Sequence, residues 1–201
     1  MRKVKIFRTI MVFWTLFIGI GAVAGATGML VAPDGSAMGM QSMLPYFQVL
    51  PFAGVLFQDF IVPGIALLLI NGIPNLIAAY FLLRNKKIGG YLGCSLGVIL
   101  MLWITIQFVI FPLNFLSAIY FFFGLLQFLC GVAYIIFEKQ SKFHFDASLY
   151  HSIGTDSSIL VVYFSRKGYT KKIAYEKANK LGADLFEITT PERTKGFFGF
   201  A

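Results

Sequence analysis

Four long runs of apolar residues, almost free of charge, limit what this chain can fold into. They cover about residues 10–32, 61–83, 88–111 and 115–137. Each run is long enough to cross the hydrocarbon core of a bilayer as an α-helix, and too long for a core helix or strand of a small soluble domain. The sequence therefore predicts an all-α integral membrane domain with four spanning helices over residues 1–138.

The positions of the basic residues predict how these helices cross the membrane. The 17 lysines and arginines fall before the first run, between the second and third runs, or after the fourth, and the other two connections have none. Basic residues concentrate in cytoplasmic connections, so the pattern predicts a multi-pass protein of the cell membrane with both termini cytoplasmic. The net charge of +8 then indicates the lipid bilayer as a partner, and the absence of a basic stripe with interleaved aromatic residues argues against nucleic acid.

The first run allows two interpretations. Its basic start, apolar centre and small-residue stretch GAVAGA are also typical of a cleavable signal peptide. The apolar residues continue through Met29, Leu30 and Val31, beyond a typical signal core, which favours a retained helix. The following residues 33–60 include three prolines and many apolar side chains. This composition predicts an interfacial or re-entrant segment on the outer face.

Small residues recur every four positions in two of the runs. The residues are Gly89, Gly93 and Gly97 in the third run and Gly21 and Gly25 in the first. Such spacing predicts close packing between helices. In the second run, a proline at position 74 predicts a kink.

Polar side chains within or beside the apolar runs need a physical reason, because they are costly at membrane depth. They are Gln58, Asp59, Asn71, Asn75, Gln107 and Gln127. One interpretation is a polar interior that binds a small molecule or quinone, or relays protons. The other is hydrogen bonding between helices, together with satisfaction of backbone groups freed by Pro74. We favour the second, because only Asp59 can ionise.

Two short stretches carry a first resemblance. FQDFIVPG at 57–64 and WITIQ at 103–107 resemble a recurring group of small four-helix bacterial membrane proteins. The positions that the pattern of this group emphasises are Asp59, Pro63, Gly64, Trp103 and Gln107. The resemblance implies no activity for this chain.

After the fourth run the composition changes to that of a small α/β unit. Residues 139–157 are polar and mixed, which predicts a cytoplasmic linker. The continuous apolar run Ile159–Phe164 predicts a strand buried on both faces. An amphipathic helix follows at about Tyr169–Leu181, with Gly182 as its cap, and a second short strand is predicted at Asp184–Ile188. Strand, helix and strand at this spacing predict a parallel β-α-β unit.

The loop between the predicted strand and helix has the residues of a phosphate site. It reads Ser165, Arg166, Lys167, Gly168, Tyr169 and Thr170. Gly168 allows backbone amides to converge, Ser165 and Thr170 offer hydroxyl donors, and the helix start adds a favourable dipole for an anion. The two cysteines lie inside apolar runs without ligand spacing, and no metal site is predicted.

The stretch from Ile159 to Ile188 resembles the start of the flavodoxin family, whose loop of the form Ser/Thr-x-Thr-Gly-x-Thr wraps the phosphate of flavin mononucleotide (FMN). The resemblance implies FMN as cofactor, the six loop residues as its binding site, and a redox partner protein or quinone. Two positions differ from the family pattern, since Lys167 replaces the middle hydroxyl residue and Tyr169 a small polar one. The form Ser-Arg-x-Gly-x-Thr is also similar to flavodoxin-type quinone-linked oxidases, which leaves the substrate subclass open.

The resemblance covers only part of the family fold. Flavodoxins have five parallel strands and hold the flavin ring with loops after the third and fourth, whereas two strands are predicted here. A two-stranded parallel unit is expected to leave open edges and an unburied apolar face, and not to be stable alone. Residues 158–201 are therefore expected to be an incomplete flavodoxin-like domain, either a truncated form of a longer protein or one that completes its sheet with a partner.

One hypothesis makes the four-helix part a transporter or quinone-binding unit, but the lack of charged residues in mid-membrane argues against ion coupling. Two stronger hypotheses of function follow. One is membrane-anchored, FMN-dependent electron transfer at the cytoplasmic face, for which this truncated chain is not expected to be competent. The other is a non-enzymatic integral membrane protein of unknown role with a vestigial cytoplasmic tail. Whether the protein is an enzyme is left open by the sequence.

Overall fold

The structure is a computed structural model that describes residues 2–189. The chain divides into two compact units, Met1–Lys142 and Phe143–Ala201. The first is helical and the second contains a small parallel sheet. Part of the region predicted as a truncated flavodoxin-like domain, residues 190–201, lies outside the described residues.

Four helices of the first unit are long and apolar enough to cross a membrane, which confirms the prediction of four such helices. They are α1 (Arg2–Val31), a second helix built of α3 (Ile61–Leu67), a π-helical turn (Leu68–Gly72) and α4 (Ile73–Leu83), then α5 (Lys87–Ile110) and α6 (Phe115–Lys142). The π-helical turn stands directly before Pro74, where the sequence predicted a kink. Proline has no backbone N–H to donate to the preceding turn, and the helix becomes irregular at this point.

Helix α6 extends beyond the predicted end of the fourth span at residue 137. It continues to Lys142, so the predicted linker over residues 139–157 is wrong at its start. Lys142 pairs with the carboxylate of Glu138 one turn earlier, and the hydroxyl of Ser141 donates to the Glu138 carbonyl. Basic side chains in the last turn are favourable at the negative end of the helix dipole, and these local interactions extend the helix past its apolar run.

The connection between α1 and α3 contains only short helical turns. They are the 3₁₀ helices Ser36–Met38 and Gln41–Val49 and the α-helical turn α2, Ala53–Leu56. Phe47 and Phe60 from this connection form a buried cluster with Ile110 and Phe111 at the end of α5. The apolar connection is thus packed against the helices.

Glycines allow α5 and α6 to approach closely, and these two helices share the most extensive contact in the unit. A Cβ at Gly97 would lie 2.6 Å from the backbone nitrogen of Phe128 and 2.8 Å from the carbonyl oxygen of Gly124. At the other end of α5, a glycine allows close approach to α4, since a Cβ at Gly89 would lie 2.6 Å from the backbone nitrogen of Leu82. Close packing at these glycines is confirmed.

The glycines of α1 differ from this pattern. A Cβ at Gly25 would meet Leu67 at 3.3 Å, whereas at Gly21 the nearest atom would be the Tyr120 hydroxyl at 3.7 Å. The prediction of close helix packing at Gly21 is therefore wrong. Space, rather than a neighbouring backbone, lies beside this residue.

Over its described residues, 143–189, the second unit consists of a 3₁₀ turn, two strands and one helix. Its elements are Ala147–Leu149, β1 (Asp156–Tyr163), α7 (Tyr169–Leu181) and β2 (Ala183–Glu187). The strands pair in parallel, and Val161 to Tyr163 stand opposite Leu185 to Glu187. Helix α7 has the predicted bounds, and Gly182 ends it with a left-handed φ of 70°. Strand β1 begins at Asp156, inside the predicted linker, because its first residues already pair with the chain near Ala183.

Within residues 143–189, the sheet is covered on one face. Helix α7 contacts both strands and buries Ala174 and Ala178. On β1, Leu160 is 58% and Val162 50% exposed, and on β2 Phe186 is 57% exposed. The apolar run alone predicted burial on both faces, which is wrong, whereas the unburied apolar face predicted for a two-stranded unit is observed.

The close approach of α5 and α6 makes a direct prediction about stability. Changing Gly97→Ala places a methyl group against two backbone atoms that cannot move independently, and should cost about 1–3 kcal/mol. Gly21→Ala is the matched control in another spanning helix, because its new Cβ has space. We expect thermal unfolding in detergent to show a clearly lower midpoint for Gly97→Ala alone. Equal midpoints for the two variants would contradict the packing described here.

Candidate phosphate-binding loop and buried polar contacts

The segment Ser165–Thr170 joins the carboxyl end of β1 to the first turn of α7. Gly168 precedes the helix with φ 88° and ψ −14°, a left-handed conformation that favours glycine. Its N–H donates to the hydroxyl oxygen of Ser165 at 3.1 Å, and its carbonyl accepts the first bond of the helix from the N–H of Lys172 at 3.0 Å. The hydroxyl and the glycine thus turn the chain from strand to helix.

An aromatic ring makes glycine necessary at position 168 for a second reason. A Cβ there would lie 2.9 Å from Cε1 of Phe143. The same ring packs against Tyr169, with ring centroids 4.2 Å apart. Tyr169, one of the two departures from the flavodoxin pattern, therefore has a packing role within this unit.

The N-terminus of α7 has an excess of positive charge. Its first turn contains no acidic residue. Exposed Lys167 precedes it, and Lys171 and Lys172 lie in its first turn. Lys171 is paired with Glu187 at 2.8 Å, and Lys172 lies 3.9 Å from Glu176. Cations are unfavourable at the positive end of a helix dipole, and anions are favourable there. This arrangement suits a bound anion.

A three-residue contact holds this turn against the sheet. The phenol of Tyr163 on β1 and the ammonium of Lys171 on α7 both donate to Oε2 of Glu187 on β2, each at 2.8 Å. Tyr163 and Glu187 are direct partners in the strand register. The contact joins both strands to the first turn of the helix, at the same end of the sheet as the loop.

The contact also shifts the acid–base behaviour of its members. The hydrogen bonds from Lys171 and Tyr163 lower the pKa of Glu187, and the bond to Glu187 raises the pKa of Lys171. Burial, followed by the hydrogen bond to Glu187, raises the pKa of Tyr163 to about 12. Sequence reasoning missed this contact, since it depends on the register of two strands.

The six predicted loop residues are thus placed in different ways. Ser165 and Gly168 are half-buried and bonded to each other, and they form the turn itself. Arg166, Lys167 and Thr170 are exposed around it. The backbone geometry of the loop depends on Ser165 and Gly168, whereas the other side chains are placed around the start of the helix.

In the helical unit, one buried amide joins three helices. Nε2 of Gln127 on α6 donates to Oδ1 of Asn75 on α4 at 2.9 Å and to the Gly93 carbonyl on α5 at 3.0 Å. Nδ2 of Asn75 donates to the carbonyl of Asn71 at 2.8 Å, within the π-helical turn before Pro74. These contacts support the interpretation of Asn75 and Gln127 as hydrogen-bonding groups between helices and within the irregular turn.

The residues emphasised by the four-helix resemblance separate into two groups. At the start of α3, the carboxylate of Asp59 accepts from the N–H of Ile61 at 2.8 Å, and a Cβ at Gly64 would lie 3.0 Å from Met29. Buried Pro63 lies in the same first turn. Trp103 and Gln107 lie elsewhere, along a cavity on α5. The first group starts and packs a helix, whereas the second borders open space.

Comparison with known proteins identifies no family for this chain. No family model, no curated protein and no solved structure matches it. Between residues 2 and 189, no group of three or more His, Cys, Asp and Glu side chains is placed to hold a metal ion. The functional proposals below rest on the geometry of the described residues.

The Glu187 contact predicts how the second unit responds to acid. Because the folded pKa of Glu187 is lowered from 4.5, its contribution is complete above that pH and is lost as the pH falls through the folded value. The side chains of Lys171 and Glu187 are 31% and 35% exposed, so the loss should be below about 1 kcal/mol. Glu187→Gln should remove this acid-dependent part.

Hydrogen exchange of β1 and α7 peptides, corrected for intrinsic rates at each pH, measures the effect. Glu176→Gln is the control, because Glu176 forms only an exposed, 3.9 Å pair with Lys172. We expect the difference in protection between pH 6 and pH 3 to shrink for Glu187→Gln and to stay at the wild-type value for the control. An unchanged difference in Glu187→Gln would refute the linkage.

Proposed function

We propose that this chain is membrane-anchored and that its residues 165–170 form the phosphate-binding part of an FMN site, a site that would serve electron transfer at the cytoplasmic face when complete. One observation carries the proposal: a parallel strand leads through a glycine turn into a helix whose first turn contains basic and no acidic residues. A left-handed glycine turn, a helix dipole and nearby cations are elements of a phosphate site.

The residues of this turn fit a phosphate group chemically. The hydroxyl oxygen of Ser165 accepts from Gly168, so its proton can be donated to a phosphate oxygen. The hydroxyl of Thr170 and the ammonium of Lys167 are exposed at the start of the helix. Bound there, FMN would supply the redox chemistry, while these residues would hold and orient its phosphate.

The resemblance to flavodoxins limits what we propose for these residues. In that family the flavin ring is held by loops after the third and fourth strands, and residues 2–189 contain two strands. We therefore assign the phosphate part of an FMN site to residues 165–170, and a redox partner protein or quinone as the electron-transfer partner. The distribution of basic residues supports a cytoplasmic location for this unit.

A second candidate function is a non-enzymatic integral membrane protein. The hydrogen bonds of Gln127 favour this second function. They join Gln127 to Asn75 and to the Gly93 carbonyl, so these polar groups hold the helices together and are not directed to a ligand. In this alternative the helical unit functions alone. Deletion of the residues after Lys142 would then leave membrane insertion and any cellular phenotype unchanged, whereas a lost phenotype would favour the first proposal.

Titration of the full chain in lipid nanodiscs with FMN and with riboflavin tests the phosphate site. Both have the same ring, and only FMN has the phosphate. We expect FMN to bind at least about tenfold more tightly, since hydrogen bonds to charged groups contribute about 1.5–3 kcal/mol each. Quenching of flavin fluorescence measures both affinities.

Variants of the loop sharpen this test. Ser165→Ala and Thr170→Ala should reduce the preference for FMN over riboflavin, and Lys177→Ala, an exposed change further along α7, should not. Equal affinity for FMN and riboflavin, or no binding of either flavin, would refute the proposal.

A further inference from the structure

A partly open cavity of about 300 Å³ lies between the helices of the helical unit. It is bordered by α1, α3 and its π-helical turn, α5 and α6, and by methionines of the connection between α1 and α3. Its wall includes Gly21, where an added Cβ would meet only the Tyr120 hydroxyl, at 3.7 Å. Protein interiors are normally close-packed, so an opening of this size among well-packed helices is a structural feature that needs a reason.

One polar side chain in the wall of this cavity has no partner. Asn71 is fully buried, and neither its Nδ2 nor its Oδ1 makes a hydrogen bond. Asn75, one turn later, has both polar atoms bonded. In lipid no bulk water compensates a buried amide, so an unpaired one is costly. A group in the cavity that accepts a hydrogen bond from Nδ2 of Asn71 would reduce this cost.

The rest of the wall defines the chemistry of such a group. Among the described residues, no charged side chain lines the cavity, so an ion bound there would have no counter-charge and a neutral molecule is favoured. Gln107 accepts from Ser117 at 3.3 Å, and the amide oxygen of Asn114 accepts from the Ser117 backbone at 2.8 Å. Trp103, Tyr120 and four methionines provide a polarisable, mostly apolar surface.

We propose that this cavity is a binding site for a small, neutral, mainly aromatic or apolar molecule whose carbonyl accepts a hydrogen bond from Nδ2 of Asn71. Its volume is at the lower end of the range for small-molecule sites. Asn71 lies near the middle of the span Ile61–Leu83. The ester carbonyls of phospholipids are at the interface, so a lipid chain alone would leave the amide unpaired.

Photolabelling with benzophenone tests this proposal on the full chain in lipid nanodiscs. Benzophenone is a neutral diaryl ketone that inserts into nearby C–H bonds under ultraviolet light, and peptide mass spectrometry identifies the labelled residues. We expect saturable labelling of methionines in the wall, such as Met29, Met40 and Met43. Competition by benzanilide, which retains a carbonyl, should be stronger than competition by diphenylmethane, which has none.

Two variants change the site in independent ways. Asn71→Leu removes the hydrogen bond and should raise the benzophenone concentration at half-saturation at least about tenfold. The variant should not lower thermal stability, since it removes an unsatisfied amide. Gly21→Leu should fill the space and abolish labelling of the wall. Thr105→Leu is the control, because Thr105 is exposed, does not line the cavity, and bonds only within its own helix.

Each other outcome overturns part or all of the proposal. Labelling spread over lipid-facing residues, unaffected by Asn71→Leu and Gly21→Leu, would show that there is no site. Labelling lost in Gly21→Leu but unchanged in Asn71→Leu would contradict the carbonyl class of ligand. Absence of labelling in the wall, with the cavity holding water alone, would also refute it.

Discussion

The helical unit depends on the need to satisfy every buried polar group without help from water. Four helices satisfy their own backbones, and the remaining polar side chains must find partners inside the unit. Gln127 does so for three helices together, through Asn75 on α4 and the Gly93 carbonyl on α5. Close approach at Gly93 is part of the same arrangement, since a side chain there would occupy the space now taken by Met11. The small residue Gly93 and the amide of Gln127 therefore hold the helices together at the same place.

The same constraint makes Asn71 unusual. Its carbonyl is used by Asn75, while its amide group lies buried and unbonded in the wall of a cavity. Oε1 of Gln127 is also buried without a partner, but among the described residues only Asn71 leaves both polar side-chain atoms unbonded, and it does so beside a cavity. We take this combination as the arrangement of a ligand site. The second unit is built differently. Its two parallel strands place the N-terminus of α7, with basic residues in its first turn, directly after the glycine turn at Gly168.

Much of the fold could be predicted from the sequence, because its signals are local. Uninterrupted apolar runs predict spanning helices, and the pattern from Tyr169 to Leu181 with a following glycine predicts the bounds of α7 as observed. The extension of α6 to Lys142 was missed, since it depends on side-chain contacts after the apolar run ends. Exposure of Leu160 and Val162 agrees with the unburied face expected of a two-stranded unit, whereas the apolar run alone predicted burial on both faces, because such a run does not show how many helices cover a sheet.

The candidate sites show the same division. Ser165 and Gly168 were found from a short motif, and the structure bonds them to each other. The contact of Tyr163 with Glu187 depends on strand register, and the space beside Gly21 depends on the angles between helices. Neither has a local signal in a single sequence, and the spacing of Gly21 and Gly25 even suggested close packing.

Cysteine accessibility in intact cells tests the central claim, that the four helices cross the membrane and their connections alternate between its sides. In a background with Cys94 and Cys130 replaced by alanine, single cysteines would be placed as Val55→Cys, Leu113→Cys, Lys86→Cys and His144→Cys. A membrane-impermeant maleimide should label positions 55 and 113 from outside, and positions 86 and 144 only after permeabilisation. Labelling of position 86 or 144 in intact cells, or of only one of positions 55 and 113, would contradict the account.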